Sequence, residues 1–234
     1  MNLAALFSGG KDSTYSIYKA KQMGHDVKCL ITLFPKSANS HLLHFSNIEL
    51  TKLQSETLKI PQITLTLNSD ESAEEIRMLK TLLEKVKLDF QIDGLVHGGI
   101  SSEFQKKNFE KICKESNLNI FTPLWGIDPK EYMNSLLNSN FKFILTSVSS
   151  DGLDETWLGK IISADDISLL GNLSSKYGFN LNFEGGEAET FVTDCPIYSQ
   201  PIKINKAQTI WDGYRGRFEI EDASLDSNAR QSKI

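Results

Sequence analysis

The sequence predicts an α/β protein in which a parallel sheet flanked by helices is followed by a smaller α+β domain. Three observations carry this. An apolar segment opens the chain, meets two glycines and continues as a helix-like stretch; strand-like and helix-like segments then alternate as far as residue 121; and the alternation stops at Thr122-Pro123-Leu124-Trp125-Gly126. The expected domains are residues 1–125 and 126–234.

Residues 3–7 read as a strand, 13–23 as a helix stopped at Gly24, and 27–34 as a second buried strand. A helix over 47–59 is expected to end before Pro61, with Ile63, Leu65 and Leu67 alternating along a third strand. Ser72 and Glu75 have capping-box spacing, and Ile76, Leu79, Leu83 and Val86 form one apolar stripe behind them. A short strand at 95–97, a helix over 104–115 and a strand at 119–121 complete the first domain. In the second, Asp128-Pro129-Lys130-Glu131 predicts a capped helix over 129–137, then a strand over 141–148 and a helix over 165–177 ending at Gly178. From Phe191 onward, Pro196, Pro201, Gly213 and Gly216 among alternating apolar residues predict irregular β structure, and the last ten or so residues are expected to fray.

Composition excludes several classes of function. With 234 residues, 40% hydrophobic and 24% charged, the chain reads as an ordinary globular protein, and no apolar run approaches the roughly 20 residues that span a bilayer. Residues 1–7 lack the basic start of a secretory signal, so a cytoplasmic location is expected. The 3 cysteines, Cys29, Cys113 and Cys195, are far apart, so neither a disulfide framework nor a metal centre is encoded. A formal charge of −5, from 25 basic and 30 acidic residues, disfavours stable nucleic-acid binding.

The opening motif Ser8-Gly9-Gly10-Lys11-Asp12-Ser13 has the chemistry of an anion cradle. A phosphate tail needs backbone N–H groups aimed at it with no side chains in the way, which the glycines allow. Ser8 and Ser13 add hydroxyls, Lys11 a positive charge, and the following helix its positive dipole end. The spacing is neither that of a Walker loop nor that of a dinucleotide-binding loop. Thr32 and Leu33, at the carboxyl end of the neighbouring strand, are expected beside the nucleotide base.

Four stretches together carry a resemblance: this loop; the segment His41-Leu42-Leu43-His44 with 47–54 after it; His97-Gly98-Gly99-Ile100-Ser101-Ser102-Glu103-Phe104-Gln105; and Glu184-Gly185-Gly186-Glu187-Ala188-Glu189-Thr190-Phe191. The chain resembles the diphthine–ammonia ligase family, of the PP-loop ATP pyrophosphatase superfamily with its Rossmann-like (HUP) fold, over roughly residues 1–200, in its short stand-alone form. The resemblance implies an ATP- and Mg2+-using enzyme. It would adenylate the diphthine carboxylate of elongation factor 2, let ammonia displace AMP to form the diphthamide amide, and release pyrophosphate. It further implies that Ser8 to Ser13, Gly98, Gly99, Ser102 and Gln105 bind the nucleotide. His44, Glu184, Gly185, Gly186, Glu187 and Thr190 would bind the acceptor, and Glu187, Glu189 and Lys11 would serve catalysis. Ala188 stands where the family carries an aromatic residue, and Phe183 where it carries a small one.

Plainer roles remain open for several of these. Asp12 is either a helix N-cap or an aid to magnesium, and Ser102 with Gln105 either lines the nucleotide site or makes an ordinary cap. The glutamates could form a solvated loop, His44 and His97 could be packed rather than catalytic, and Trp125 and Trp211 read as core or domain-interface aromatics. The alternative functions are another adenylating enzyme of the superfamily, acting on tRNA or a small molecule, and a non-catalytic nucleotide sensor.

Overall fold

The computed structural model describes residues 1–34, 47–69 and 71–227. Contacts divide the chain into two units: Met1–Ser8 with Asp12–Gly126, and Gly9–Lys11 with the chain from Ile127 onward.

The first unit is a parallel sheet of order β3-β2-β1-β4-β5. Its strands are β1 (Asn2–Leu6), β2 (Asp26–Phe34), β3 (Gln62–Thr66), β4 (Gly94–Val96) and β5 (Asn119–Phe121). Helices α1 (Lys11–Gln22), α2 (Thr51–Leu58), α3 (Ser72–Phe90) and α4 (Glu103–Glu115) alternate with them. The central strand β1 buries Leu3, Ala4 and Ala5 completely, as expected of a parallel strand covered on both faces. Leu79, Leu83 and Val86 of α3 meet Ile31, Leu33 and Leu95 of the sheet and Phe109 and Ile112 of α4 in one core. The strand order reverses between β1 and β4, and at such a switch point open α/β sheets leave a crevice at their carboxyl edge.

Two local expectations need correction. The segment over 47–59 is not one helix: a 3-10 turn at Ile48–Leu50 precedes α2, and Lys59 closes it in the left-handed conformation (φ 56). Nor does Ser72 cap α3. Glu71 occupies the N-cap with extended backbone and its carbonyl accepts from Glu74 N and Glu75 N, so Ser72 is already helical and one position late for a capping bond.

The second unit is an antiparallel sheet of order β7-β6-β9-β8, built from β6 (Lys142–Val148), β7 (Ala188–Asp194), β8 (Ile202–Trp211) and β9 (Gly216–Leu225), with α5 (Pro129–Asn138) and α6 (Ala164–Tyr177). Asp128 caps α5, its Oδ1 accepting from Lys130 N and Glu131 N at 3.0 and 2.9 Å. A full capping box of Ser163 and Asp166 starts α6, and Gly178 (φ 81) ends it. The carboxyl-terminal part is more regular than expected. β8 and β9, ten residues each, form a hairpin paired from Ile202↔Leu225 to Trp211↔Gly216 with a register shift about Lys206, Pro196 and Pro201 falling outside its strands and Gly213 in its turn. Most of the expected frayed tail lies outside the described residues. Among the described residues, no helix is long and apolar enough to cross a membrane.

Candidate active site

In the first unit, the chain leaves β1 and bends at Ser8, whose amide N and hydroxyl both lie 3.3 Å from Ser13 Oγ. Because α1 begins at Lys11, Asp12 sits in its first turn and not at its N-cap. Gly98 packs directly on this turn: a Cβ there would lie 2.5 Å from the Asp12 carbonyl carbon and 2.7 Å from Ser13 N. The structure thus brings the loop after β4 against the start of α1, and only glycine permits the approach. A Cβ on Gly99 would meet the His97 ring at 2.9 Å.

Other expected nucleotide contacts have structural partners. Thr32 is fully buried, its hydroxyl donating to Phe7 O at 2.8 Å and accepting from Gln62 Nε2 at 2.7 Å. Leu33 lies in the core, so the side chains of both residues are taken up by the interior. Ser102 caps α4 through Gln105 N at 3.4 Å, and Gln105 is half-buried. His44 lies outside the described residues.

His97 is 2% exposed, with Nδ1 accepting from Gly99 N at 3.1 Å and the ring edge-on to Phe109 at 5.0 Å. That acceptor role puts the ring proton on Nε2, which is buried and has no hydrogen-bond partner among the described residues. Burial lowers its pKa from the ordinary 6.5 to about 4. The two described cysteine thiols of this unit, Cys29 and Cys113, are pushed up to about 12 by burial, in keeping with inert packing.

In the second unit, Gly9–Lys11 joins β7. Gly9 (φ 78) accepts from Val192 N at 3.1 Å, and Lys11 N donates to Thr190 Oγ1 at 3.0 Å. The Lys11 side chain is 2% exposed. Its ammonium donates to Asn182 O at 2.6 Å and lies 5.7 and 5.6 Å from the ring centroids of Tyr132 and Phe183. The expected phosphate-facing cation is therefore engaged inside this unit. Sequence reasoning missed Asn182 and Tyr132, because a carbonyl and a core tyrosine leave no motif.

The acidic segment is ordered by its own carboxylate. Glu187 Oε1 accepts from Asn180 N (2.8 Å) and Nδ2 (2.7 Å), and Oε2 accepts from Gly185 N (2.8 Å). Gly186 turns through φ 83, while Glu184 and Glu189 are half-buried, the latter on β7 with its N–H on Ser147 Oγ. Phe183 adopts φ 62, where a side chain in the left-handed region costs about 1 kcal/mol. It is nevertheless 4% exposed and stacks on Phe179 with centroids 6.2 Å apart. Ala188, 4% exposed, pairs with Val148.

A five-stranded parallel sheet with a glycine loop leading from its central strand into a helix defines an α/β protein of the Rossmann-like class. The chain belongs to the diphthamide synthase family: residues 1–120 match the diphthamide synthase N-terminal domain and residues 128–225 the diphthamide synthase C-terminal domain. It is 30% identical to the diphthine–ammonia ligase of Rattus norvegicus and 29% to that of Bos taurus, the match covering 90% of this chain and 85% of each relative. The diphthine–ammonia ligase of Schizosaccharomyces pombe is 27% identical, with 37% of its length covered. A solved structure described as a predicted tRNA methyltransferase subunit from Methanocaldococcus jannaschii aligns over 83% of this chain and 97% of that one, at 20% identity and a TM-score of 0.44.

Two outcomes are expected. The folded protein keeps His97 neutral down to about pH 4, whereas the unfolded chain takes up the proton near 6.5. The resulting penalty is absent above 6.5 and grows to the order of 3 kcal/mol as pH falls towards 4. Urea unfolding at pH 7 and pH 4.5 should show a smaller pH dependence for His97→Leu than for the parent; equal slopes would contradict a buried neutral imidazole. Phe183→Gly relieves about 1 kcal/mol of backbone strain but removes a buried ring worth roughly 3–5 kcal/mol, so burial wins and stability should fall by about 2–4 kcal/mol. A rise in melting temperature would reverse that ranking.

Proposed function

We propose that this chain is a cytoplasmic ATP-dependent ligase that amidates the diphthine carboxylate of elongation factor 2, through an acyl-adenylate attacked by free ammonia, with AMP and pyrophosphate released. The observation that carries the reading is the bond from Lys11 N to Thr190 Oγ1, which ties the family's phosphate loop to its acidic acceptor segment.

The reaction needs a better leaving group than a carboxylate oxygen, and AMP on a mixed anhydride supplies it. The pyrophosphate portion of ATP would be received by the N–H groups at the start of α1, where the helix dipole favours negative charge. The base would lie along the backbone at Thr32 and Leu33. Gly98 and Gly99 keep the opposite wall free of side chains. Magnesium would neutralise the phosphates and be held largely by them, with Asp12 as the protein's contribution.

The two central glutamates divide the remaining work. With both oxygens taken by N–H groups of its own loop, Glu187 acts as a positioning residue that shapes the Asn180–Gly185 turn. Glu189, on the neighbouring strand beside Thr190, is the better placed to orient ammonia, which must be neutral to attack. Lys11 acts by fixing the loop from within, its charge spent on Asn182 O and two ring faces.

The deciding experiment incubates the protein with ATP, ammonium and diphthine-bearing elongation factor. The factor should lose about one dalton as a carboxylate becomes an amide, with AMP as the nucleotide product. Formation of ADP, or an unchanged factor mass, overturns the proposal. Among variants, Glu189→Gln should suppress amide formation while AMP still forms on the factor. Glu187→Gln, which turns an amide N–H towards existing N–H donors, should loosen the turn and weaken both half-reactions. The reverse pattern would return ammonia handling to Glu187.

A further inference from the structure

His97 follows β4 directly, and the chemistry outlined above gives it no role. Its backbone N–H donates to Phe121 O of β5 at 3.2 Å, and its ring lies edge-on to Phe109 of α4. A phenylalanine would fill this place against Phe109 with no polar group to desolvate. The chain carries instead an imidazole whose Nε2 is buried with no hydrogen-bond partner among the described residues. What the imidazole supplies, and a phenyl ring cannot, is the lone pair on Nδ1.

That lone pair closes a turn. Nδ1 accepts from Gly99 N at 3.1 Å, so the side chain holds the amide two positions on, as asparagine and aspartate do in an Asx turn. Gly98 is enclosed between the two ends of this bond, and Gly98 is the residue pressed on Asp12 and Ser13. A Cβ on it would lie 2.5 Å from the Asp12 carbonyl carbon, 2.6 Å from the Asp12 oxygen and 2.7 Å from Ser13 N. Backbone therefore packs on backbone, with no side chain between them to absorb an error in position. Ser13 passes the contact on, its Oγ lying 3.3 Å from Ser8 N at the bend after β1. On the far side the loop is held by Gly126 N, which donates to Ile100 O at 2.9 Å. Burial lowers the His97 pKa to about 4, so the lone pair stays available at neutral pH.

We propose that His97 is a positioning residue whose Nδ1 clamps the Gly98–Gly99 turn and thereby sets the Asp12–Ser13 backbone for phosphate binding. The ring is 2% exposed, so it acts through Gly98 and not by contact with a ligand. A phosphate held by backbone N–H groups needs them aligned, since such bonds weaken steeply once the angle at hydrogen falls below about 120°. The clamp stands on geometry alone. Its consequence for ATP rests on the reading above, in which the N–H groups at the start of α1 receive the pyrophosphate portion.

Two variants of the full chain separate this role from plain core packing. His97→Phe keeps a buried ring but leaves Gly99 N without its acceptor. His97→Asn leaves a cavity, yet its Oδ1 restores an acceptor two residues before Gly99. Core packing alone ranks Phe above Asn in both stability and ATP affinity, whereas the clamp makes the two rankings cross. His97→Asn should have the lower melting temperature and a calorimetric Kd for ATP within about twofold of the parent. His97→Phe should bind about three- to tenfold more weakly, the weight of one hydrogen bond. ATP binding by His97→Asn no tighter than by His97→Phe overturns the proposal. Amide hydrogen exchange without nucleotide reads the clamp independently of ATP. Gly99 and Ser13 should exchange about tenfold faster in His97→Phe, while Ile112 in the core face of α4 keeps the parent rate. Unchanged exchange at Gly99 or Ser13 overturns the clamp whatever ATP does. If exchange responds but the parent binds no ATP, the nucleotide reading fails and the clamp stands.

Discussion

The burial of the Lys11 ammonium is the constraint on which the rest of the site depends. An uncompensated charge inside a protein costs several kcal/mol, so a 2%-exposed lysine must be surrounded by groups that replace water. Asn182 O at 2.6 Å and the faces of Tyr132 and Phe183 do this, and they come from two separate parts of the second unit. Tyr132 belongs to a helix capped by Asp128, while Asn182 and Phe183 belong to the turn before β7. Seating one ammonium therefore fixes a helix and a turn against Gly9–Lys11. Once it is seated, the loop backbone follows: Gly9 O and Lys11 N reach the β7 residues Val192 and Thr190.

The turn before β7 shows how a left-handed backbone can carry a large aromatic side chain. Phe183 takes a backbone conformation that favours glycine, and the conflict is resolved by what its ring does, since it stacks on Phe179 and covers the Lys11 ammonium. The adjoining loop is held by three N–H donors converging on Glu187. A carboxylate that accepts three such bonds organises its own surroundings.

Much of the first unit was legible because its signals are local. Leu3 to Ala5 run apolar before two glycines, Leu79, Leu83 and Val86 recur at helical spacing, and Gly24 stops α1 in the left-handed conformation. The errors arose where a local pattern competed with its neighbours. Ser72 and Glu75 have the right spacing for a capping box, yet the carbonyl of Glu71 starts the helix one residue earlier. The prolines at 196 and 201 suggested irregularity, although they only punctuate strands that pair over ten residues.

By itself the sequence determined the class of fold, the glycine loop between β1 and α1 and the family, because glycine spacing, apolar periodicity and short motifs are properties of neighbouring residues. Only the tertiary structure decided what the charged groups of those motifs do. Lys11 meets Asn182 across 171 positions and Thr190 across 179, and no local pattern encodes such pairs. The same holds for Trp157, Tyr177, Trp211 and Tyr214, which are separate aromatics in the sequence and become one cavity when the hairpin of β8 and β9 and the helix α6 fold around it. Side-chain roles are set by distance in space, and distance in space is what folding supplies.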